Sequence, residues 1–272
     1  MAVTMAEISK LRTMTGAGMM DCKNALTEAA GDFDKAIEII RKKGQATAAK
    51  RSDREASEGC VLAAANGGFA AVLALKCETD FVAKNADFVA LTQSILDVAI
   101  ASKPATIAEL LALTINGRVI SEIITDRSGI TGEKMELDYY EFVQGGTTTA
   151  YIHPGNKLAT LVAVVEEGID NQVVRDVAMQ AAAMNPVALD RNSVPQKLID
   201  TEIEVGREKA REEGKPENML DKIAQGRLNK FFQESTLLEQ AFIKDGKITV
   251  ADYLKANKAT AVAFKRVTLN QE

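Results

Sequence analysis

Residues 60–77 read CVLAAANGGFAAVLALKC and decide the class of fold. Two apolar runs flank Asn66-Gly67-Gly68, and an Asn-Gly pair between such runs is typical of a β-hairpin turn. The chain before residue 59 follows helical spacing instead, so the secondary structure changes at this point. The sequence therefore predicts a strand pair that follows a helical N-terminal segment.

The N-terminal segment, residues 1–55, contains three short apolar repeats at helical spacing. Glycine-containing breaks at 15–18 and at 31–32 separate the repeats, and Asp32 is suited to cap the third helix. Three short helices that pack on one another predict a small bundle, which we interpret as a separate N-terminal domain.

Helical and strand-like segments follow the hairpin in mixed order and predict an α+β fold with antiparallel sheets. We divide this part into a core subdomain over 56–142 and a second core subdomain over 143–272. Within the second, residues 195–233 carry apolar residues at helical spacing on both sides of Gly214-Lys215-Pro216, which predicts an antiparallel helical hairpin of the coiled-coil kind. Residues 249–272 predict a last helix and a closing strand.

The composition is that of a soluble globular protein, with 272 residues, 46% hydrophobic and 26% charged, and a net charge of −5. The acidic balance makes broad nucleic-acid binding less favourable, because that binding depends on neutralising phosphates. The charge is divided unequally, about +2 over residues 1–55 and about −7 over the rest. Six basic residues between Arg41 and Arg54 are interpreted as a linker or an exposed helix tail.

Several classes of site are excluded by counts of residue types. The chain has one histidine and three scattered cysteines, which argues against a disulfide scaffold and against the usual zinc sites. The N-terminus shows no signal peptide, and the longest strongly apolar runs are far short of a membrane span. We therefore expect a cytoplasmic protein without a bound metal, a cofactor or a membrane partner.

The search for catalytic residues gives a negative result. His153 stands beside Pro154-Gly155 without an accompanying serine or cysteine motif, and Cys22 is better explained as a small half-buried residue than as a nucleophile. The glycines of 15–18 could suggest a phosphate site, but no Gly-Lys-Ser/Thr follows and a helix, not a strand, precedes them. A turn between two helices explains them better.

Two features are not explained well by core packing alone. The first is Met19-Met20 after the glycine turn, since methionine fills cores but also serves adaptable binding surfaces. The second is residues 77–85, CETDFVAKN, where a strand ends and Thr79 or Asp80 can cap the next helix. Position alone favours a core role for Phe81, and the alternative is an exposed aromatic that acts as a wedge.

The same two stretches carry a resemblance to a known family. Residues 11–26, LRTMTGAGMMDCKNAL, closely resemble the N-terminal signature of bacterial elongation factor Ts, and residues 77–83, CETDFVA, resemble its second signature. The order of the remaining segments is similar as well, including YIHPG at 151–155 and the helical hairpin, so the resemblance covers essentially the whole chain. Two residues depart from the family pattern. Lysine is common in the family at the position of Asn24 and glutamine at the position of Glu78, and neither difference weakens the resemblance much.

The resemblance implies a guanine-nucleotide exchange factor that performs no covalent catalysis and binds elongation factor Tu in its GDP-bound and nucleotide-free states. The N-terminal bundle resembles a ubiquitin-associated domain, and its docking residues would be Leu11, Arg12, Met19 and Met20. The segment Thr79, Asp80, Phe81 and Val82 resembles the intruding element that displaces magnesium, with Phe81 inserted near the metal. His153 and its neighbours resemble a part that contacts another domain of the partner.

Two alternatives remain open at this stage. One is an RNA-binding module of translation that uses the basic segment 41–54, although no aromatic residues interleave with its charges. The other is an enzyme that uses Cys22 or His153.

Overall fold

The computed structural model describes residues 3–269 and confirms the α+β class. The described chain forms two compact units, one made of the residues up to Leu62 together with Leu73–Tyr140, and one of Ala63–Val72 together with the residues from Glu141 onward. The N-terminal bundle belongs to the first unit. The division into domains 1–55, 56–142 and 143–272 stays a prediction.

The bundle consists of α1 (Met5–Thr15), α2 (Met19–Glu28) and α3 (Phe33–Lys50). Thr4 and Glu7 form a capping box at the start of α1, and the Asp32 side chain accepts from the Lys35 N–H at the start of α3. The bundle core consists of small and aliphatic side chains, which are Ile8, Leu11, Ala17, Cys22, Ala25, Leu26, Ala29 and Ala36.

Helix α3 continues for almost three turns beyond Ile40, the end of its apolar face, and so includes most of the basic segment. Residues 41–50 are helical, which agrees with the helix-tail interpretation and not with a linker. Four of the basic side chains form ion pairs, Arg41 with Asp126, Lys42 with Glu38, Lys43 with Asp21 and Arg51 with Glu78.

The predicted hairpin is confirmed as β1 (Glu58–Asn66) and β2 (Phe69–Cys77), with Gly67 in the left-handed region at φ 60°. These strands form a three-stranded sheet with β5 (Met135–Gln144), in the order β1-β2-β5. Between β2 and β5 the chain forms α4 (Asp80–Ala83), α5 (Ala86–Ser102), α6 (Ile107–Ala112) and α7 (Ile120–Thr131). Two short strands that the sequence did not predict, β3 (Thr114–Ile115) and β4 (Arg118–Val119), precede α7.

The second unit is built on β6 (Thr147–Ile152), β7 (Leu158–Val164) and β10 (Ala261–Thr268), in the order β10-β7-β6 with antiparallel pairing. The central strand β7 is buried along its whole length, and α8 (Asn171–Met184) packs against it. The closing strand that the sequence predicts within residues 249–272 is thus confirmed.

The predicted helical hairpin is also confirmed, as α9 (Gln196–Glu212) and α10 (Leu220–Ser235) joined by a 3-10 turn at Glu217–Met219. Its base packs around Val194, Leu228 and Phe232. A short strand pair that the sequence missed, β8 (Ala241–Phe242) and β9 (Asp245–Thr249), leads to α11 (Val250–Ala256).

Candidate partner-binding surface

Phe81 lies at a sharp corner where the chain leaves β2 and enters α4. The side chain of Thr79 caps this four-residue helix by accepting from the Val82 N–H, and Asn85 caps α5 immediately afterwards. Two caps so close together force the chain to turn twice, and Phe81 is left 85% exposed. The core role that its position suggested for Phe81 is therefore wrong, and the wedge geometry remains.

The backbone below Phe81 is fixed by the carboxylate of Glu133, which follows α7. One carboxylate oxygen accepts from the N–H groups of Glu78 and Thr79 at 3.1 and 3.0 Å, and the other accepts from the Thr79 hydroxyl at 2.6 Å. Hydrogen bonds to an ionised acceptor are about twice as strong as neutral ones. The corner is thus held at three points by one side chain.

Glu78 adds a second set of contacts to the same corner. Its carboxylate accepts from the Lys134 N–H at 2.7 Å and from the Arg51 guanidinium at 3.1 Å. The side chains of Thr79, Asp80 and Val82 are half-buried, and Asp80 pairs with Lys84 at 2.6 Å. Phe81 therefore stands out as the one strongly exposed side chain of residues 79–82.

Phe81 combines a large exposed apolar side chain with a backbone held by three hydrogen bonds to Glu133. Burial of such a side chain is worth about 1.5–3 kcal/mol, and this free energy is not gained in the isolated chain. Single exposed apolar side chains are common on protein surfaces, but aromatic residues are enriched among those that dominate binding. The corner is thus suited to insert a rigid aromatic ring into a partner.

The first signature surrounds the turn between α1 and α2. Gly16 ends α1 in the left-handed conformation at φ 71°, and the Thr15 hydroxyl accepts from the Ala17 N–H at 3.2 Å. The Cys22 thiol contacts the Ala17 carbonyl oxygen at 3.7 Å from inside the bundle. These contacts support the interpretation of the glycines as a turn between helices.

The four residues of this signature that are predicted to dock differ in exposure. Met20 is 64% exposed and Arg12 is exposed, so both can contact a partner. Met19 is half-buried and packs against the bundle core. Leu11 is fully buried in that core, so its side chain shapes the bundle and presents no surface of its own. Met14, which has the helical spacing of Ile8 and Leu11 and would be expected on the same buried face of α1, is 54% exposed instead.

His153 lies in the second unit, just after β6, and is exposed. Its Nδ1 is 3.0 Å from the Tyr151 hydroxyl, and the Arg175 guanidinium lies 5.5 Å from the centre of the Tyr151 ring. Tyr151 itself packs against the core of this unit. The histidine is therefore held at the surface by a neighbour with a fixed position.

The three cysteines lie inside the protein, away from solvent. All three are buried, and burial raises the pKa of the Cys77 thiol to about 12. Within residues 3–269, no group of three or more His, Cys, Asp and Glu side chains could hold a metal ion. Over the same residues, no helix has both the length and the apolar character that crossing a membrane requires.

Sequence reasoning missed the residues that support the corner from a distance. Glu133 and Arg51 are separated from their partners by 54 and 27 residues, and neither stands in a motif. Glu133 follows Gly132, a residue type that often ends a helix, and Arg51 belongs to the basic segment 41–54. Neither signal indicates which residues the two side chains contact.

The comparison with known proteins supports the family to which the two signatures point. A family model described as Elongation factor TS matches residues 78–271. A protein named Elongation factor Ts from Porphyromonas gingivalis is 62% identical over the full length of both chains. The chain belongs to the elongation factor Ts family.

Other members of the elongation factor Ts family align equally completely. The one from Azobacteroides pseudotrichonymphae is 56% identical and the one from Phocaeicola vulgatus is 49% identical, each over all of both chains. Membership of the elongation factor Ts family makes the protein a translation elongation factor.

Proposed function

We propose that the protein binds elongation factor Tu and promotes exchange of GDP for GTP by inserting Phe81 near the magnesium site of the GTPase. The observation that carries the proposal is the exposure of Phe81 on a corner fixed by Glu133 and Glu78. In this role Thr79, Asp80, Phe81 and Val82 form the segment that displaces magnesium.

An exchange factor accelerates release only through a difference in affinity between two states of its partner. It must bind the nucleotide-free form more tightly than the GDP-bound form, because equal affinity shifts nothing. Linkage makes the effect reciprocal, so a nucleotide that rebinds weakens the complex. No covalent bond changes in this process, so the proposed function requires no catalytic residue.

A ring inserted next to a magnesium ion is an effective way to create that difference. Mg²⁺ requires near-ideal octahedral geometry at 2.0–2.1 Å, so a small displacement of its surroundings weakens its binding strongly. Phenylalanine is suited to this because it is rigid and gains burial energy only when the site has opened. Asp80 and its ion pair with Lys84 stabilise the first turn of α4 beneath the ring.

The remaining proposed contacts anchor the complex and leave the chemistry of the metal site unaffected. Arg12, Met19 and Met20 supply a mixed basic and apolar surface on the bundle, with Leu11 as the core residue behind it. His153 supplies a contact from the second unit. The RNA-binding alternative gains no support, because four basic side chains near residues 41–54 are already paired with carboxylates.

The test of the wedge is the Phe81→Ala variant in stopped-flow release of fluorescent GDP from elongation factor Tu. We expect an unchanged fold and a maximal stimulated rate at least tenfold lower, since a buried interface aromatic is worth about 2 kcal/mol or more. Tyr139→Ala, which removes another exposed aromatic (43% exposed), is the matched control and should release GDP at the wild-type rate. Wild-type release with Phe81→Ala would refute the wedge assignment.

The test of the bundle surface is Met20→Ala in calorimetric titration of elongation factor Tu. We expect weaker binding by about 1 kcal/mol or more, because Met20 would lose its contact while the bundle core is untouched. Met184→Ala, at an exposed methionine of the second unit, is the control. Unchanged affinity for Met20→Ala would remove this residue from the interface.

A further inference from the structure

Helix α7 and the residue Glu133 that follows it contact both of the proposed partner-binding elements. At one side α7 packs against α3 of the bundle, and at the other Glu133 holds the backbone of the Phe81 corner. All of these residues lie in the first compact unit. We use the name strut for α7 together with Glu133.

The contact of the strut with the bundle is made by backbone. A Cβ added to Gly129 of α7 would lie 2.0 Å from the Cα of Gly44 in α3, a distance that real atoms do not allow. Glycine at 129 thus permits an approach that every other residue would prevent. The position of α3 relative to α7 is therefore fixed by the absence of a side chain.

Charged side chains hold the same junction in register. Asp126 of α7 is only 14% exposed and accepts from Arg41 of α3 at 3.4 Å and from Arg118. The neighbouring Arg127 pairs with Asp87 of α5 at 3.0 Å, and its guanidinium lies against Gly16, at 3.2 Å from where a Cβ would be. Arg127 thus joins the turn of the first signature to the helix that follows the second.

Side chains do not fill the whole junction. A cavity of about 240 Å³ remains beside the ion pairs, lined partly by Met14, Ile37, Ile40, Leu91, Ile123 and Ile130. The glycine contact and the Asp126 ion pairs lie beside this cavity and hold α3 against α7.

We infer that the strut is a positioning element that presents the bundle surface and Phe81 as one preassembled two-point grip. The inference rests on the proposed function and assigns positioning roles to Gly129, Asp126 and Glu133. A rigid pair of contacts binds more tightly than a loosely linked pair, because ordering has been completed before binding. The two ends of the strut therefore control different quantities. The end that contacts the bundle controls the affinity for the partner, and the end that holds the Phe81 corner controls the position of the ring.

The experiment measures stimulated release of GDP from elongation factor Tu over a range of concentrations of the full-length protein. For Gly129→Ala we expect the half-saturating concentration to rise at least tenfold while the maximal rate stays within twofold of wild type. Asp126→Asn, a milder variant that keeps the glycine contact, should move the half-saturating concentration in the same direction by a smaller factor. For Glu133→Gln we expect the opposite pattern, a lower maximal rate with a smaller change in half-saturation.

Gly226→Ala is the matched control, since Gly226 has nothing within 4 Å of an added Cβ and lies on the exposed face of α10. A variant that merely loses folded protein would also raise the apparent half-saturating concentration at an unchanged maximal rate, so concentrations are expressed as folded protein, measured by circular dichroism, and the expected tenfold rise must remain after that correction. Unchanged half-saturation in both Gly129→Ala and Asp126→Asn, or a fall of their maximal rate to that of Phe81→Ala, would overturn the inference. If Phe81→Ala itself releases GDP at the wild-type rate, the proposed function fails first, so the two failures are distinguishable.

Discussion

Glycine brings two helices together at two places in this molecule, at the α3–α7 junction and in the α9–α10 hairpin. At the junction, Gly129 faces Gly44, and an added Cβ would overlap the opposite backbone at 2.0 Å. In the hairpin, Gly206 faces Ala224, and an added Cβ would lie 3.1 Å from its Cα. The first contact excludes any side chain, whereas the second requires only a small shift.

The two helix pairs also differ in how the chain connects them. The hairpin arms are joined by a short turn and by exposed ion pairs such as Arg207–Asp221 at 2.7 Å and Arg227–Glu213 at 2.6 Å. The junction joins Arg41 to Asp126 across 85 residues. Bringing Arg41 and Asp126 together costs more conformational entropy than closing the short turn of the hairpin. The α3–α7 contact must offset this larger cost, so it depends more on close packing than the α9–α10 contact does. Glycine is therefore required at position 129 of the junction, whereas a larger residue is tolerated at position 206 of the hairpin.

The largest effect is expected for Gly129→Ala. The added methyl must separate α3 from α7, and overpacking of this kind costs about 1–3 kcal/mol, more than the roughly 1 kcal/mol that alanine gains in helix propensity. Native-state amide exchange should become faster along α3 after this change. Protection of α3 at the wild-type level would show that the junction can absorb a methyl group, and the contrast with the hairpin would disappear.

A smaller effect of opposite sign is expected for Gly226→Ala on the exposed face of α10. Its Cβ meets no atom within 4 Å, so the change adds helix propensity and removes freedom from the unfolded chain without strain. We expect stabilisation by about 0.5–1 kcal/mol in urea unfolding followed by circular dichroism. A destabilised variant would indicate that an added methyl group at position 226 meets another atom on this face of α10.

The smallest effect is expected for Gly206→Ala between the arms. The gain in helix propensity is offset by crowding against Ala224, and the arms can separate slightly because their ion pairs are exposed and flexible. The net change should stay within about 0.5 kcal/mol in the same unfolding experiment. A loss as large as that of Gly129→Ala would mean that both glycine contacts are equally strict.

The sequence predicted the hairpin well and the junction not at all. Apolar spacing on both sides of Gly214-Lys215-Pro216 is local information, and it was sufficient for two helices of nearly the right length. The close approach of Gly44 and Gly129 depends on residues far apart in the chain. Neither glycine stands at a helix end, where a glycine would signal its role.

In the two predicted binding regions, too, local sequence predicted the helices and turns but not the contacts between distant residues. The caps at Thr79 and Asn85 could be expected from residue types, but whether Phe81 is buried or exposed is decided by the tertiary structure around it. Leu11 has the helical spacing of a core residue, and it is buried as that spacing indicates. Local patterns thus predicted the elements, while exposure and the partners of Glu133 required the folded chain.

The lone histidine makes the second unit easy to observe. Because the chain has one imidazole, a proton NMR spectrum of the unlabelled protein contains one histidine ring system, and it belongs to His153. Its Nδ1 lies 3.0 Å from the Tyr151 hydroxyl, so the chemical shifts of the ring respond to that neighbour and to whatever covers it. The molecule therefore carries a built-in reporter at a position far along the chain from Phe81, whose signal needs neither mutation nor a fluorescent label.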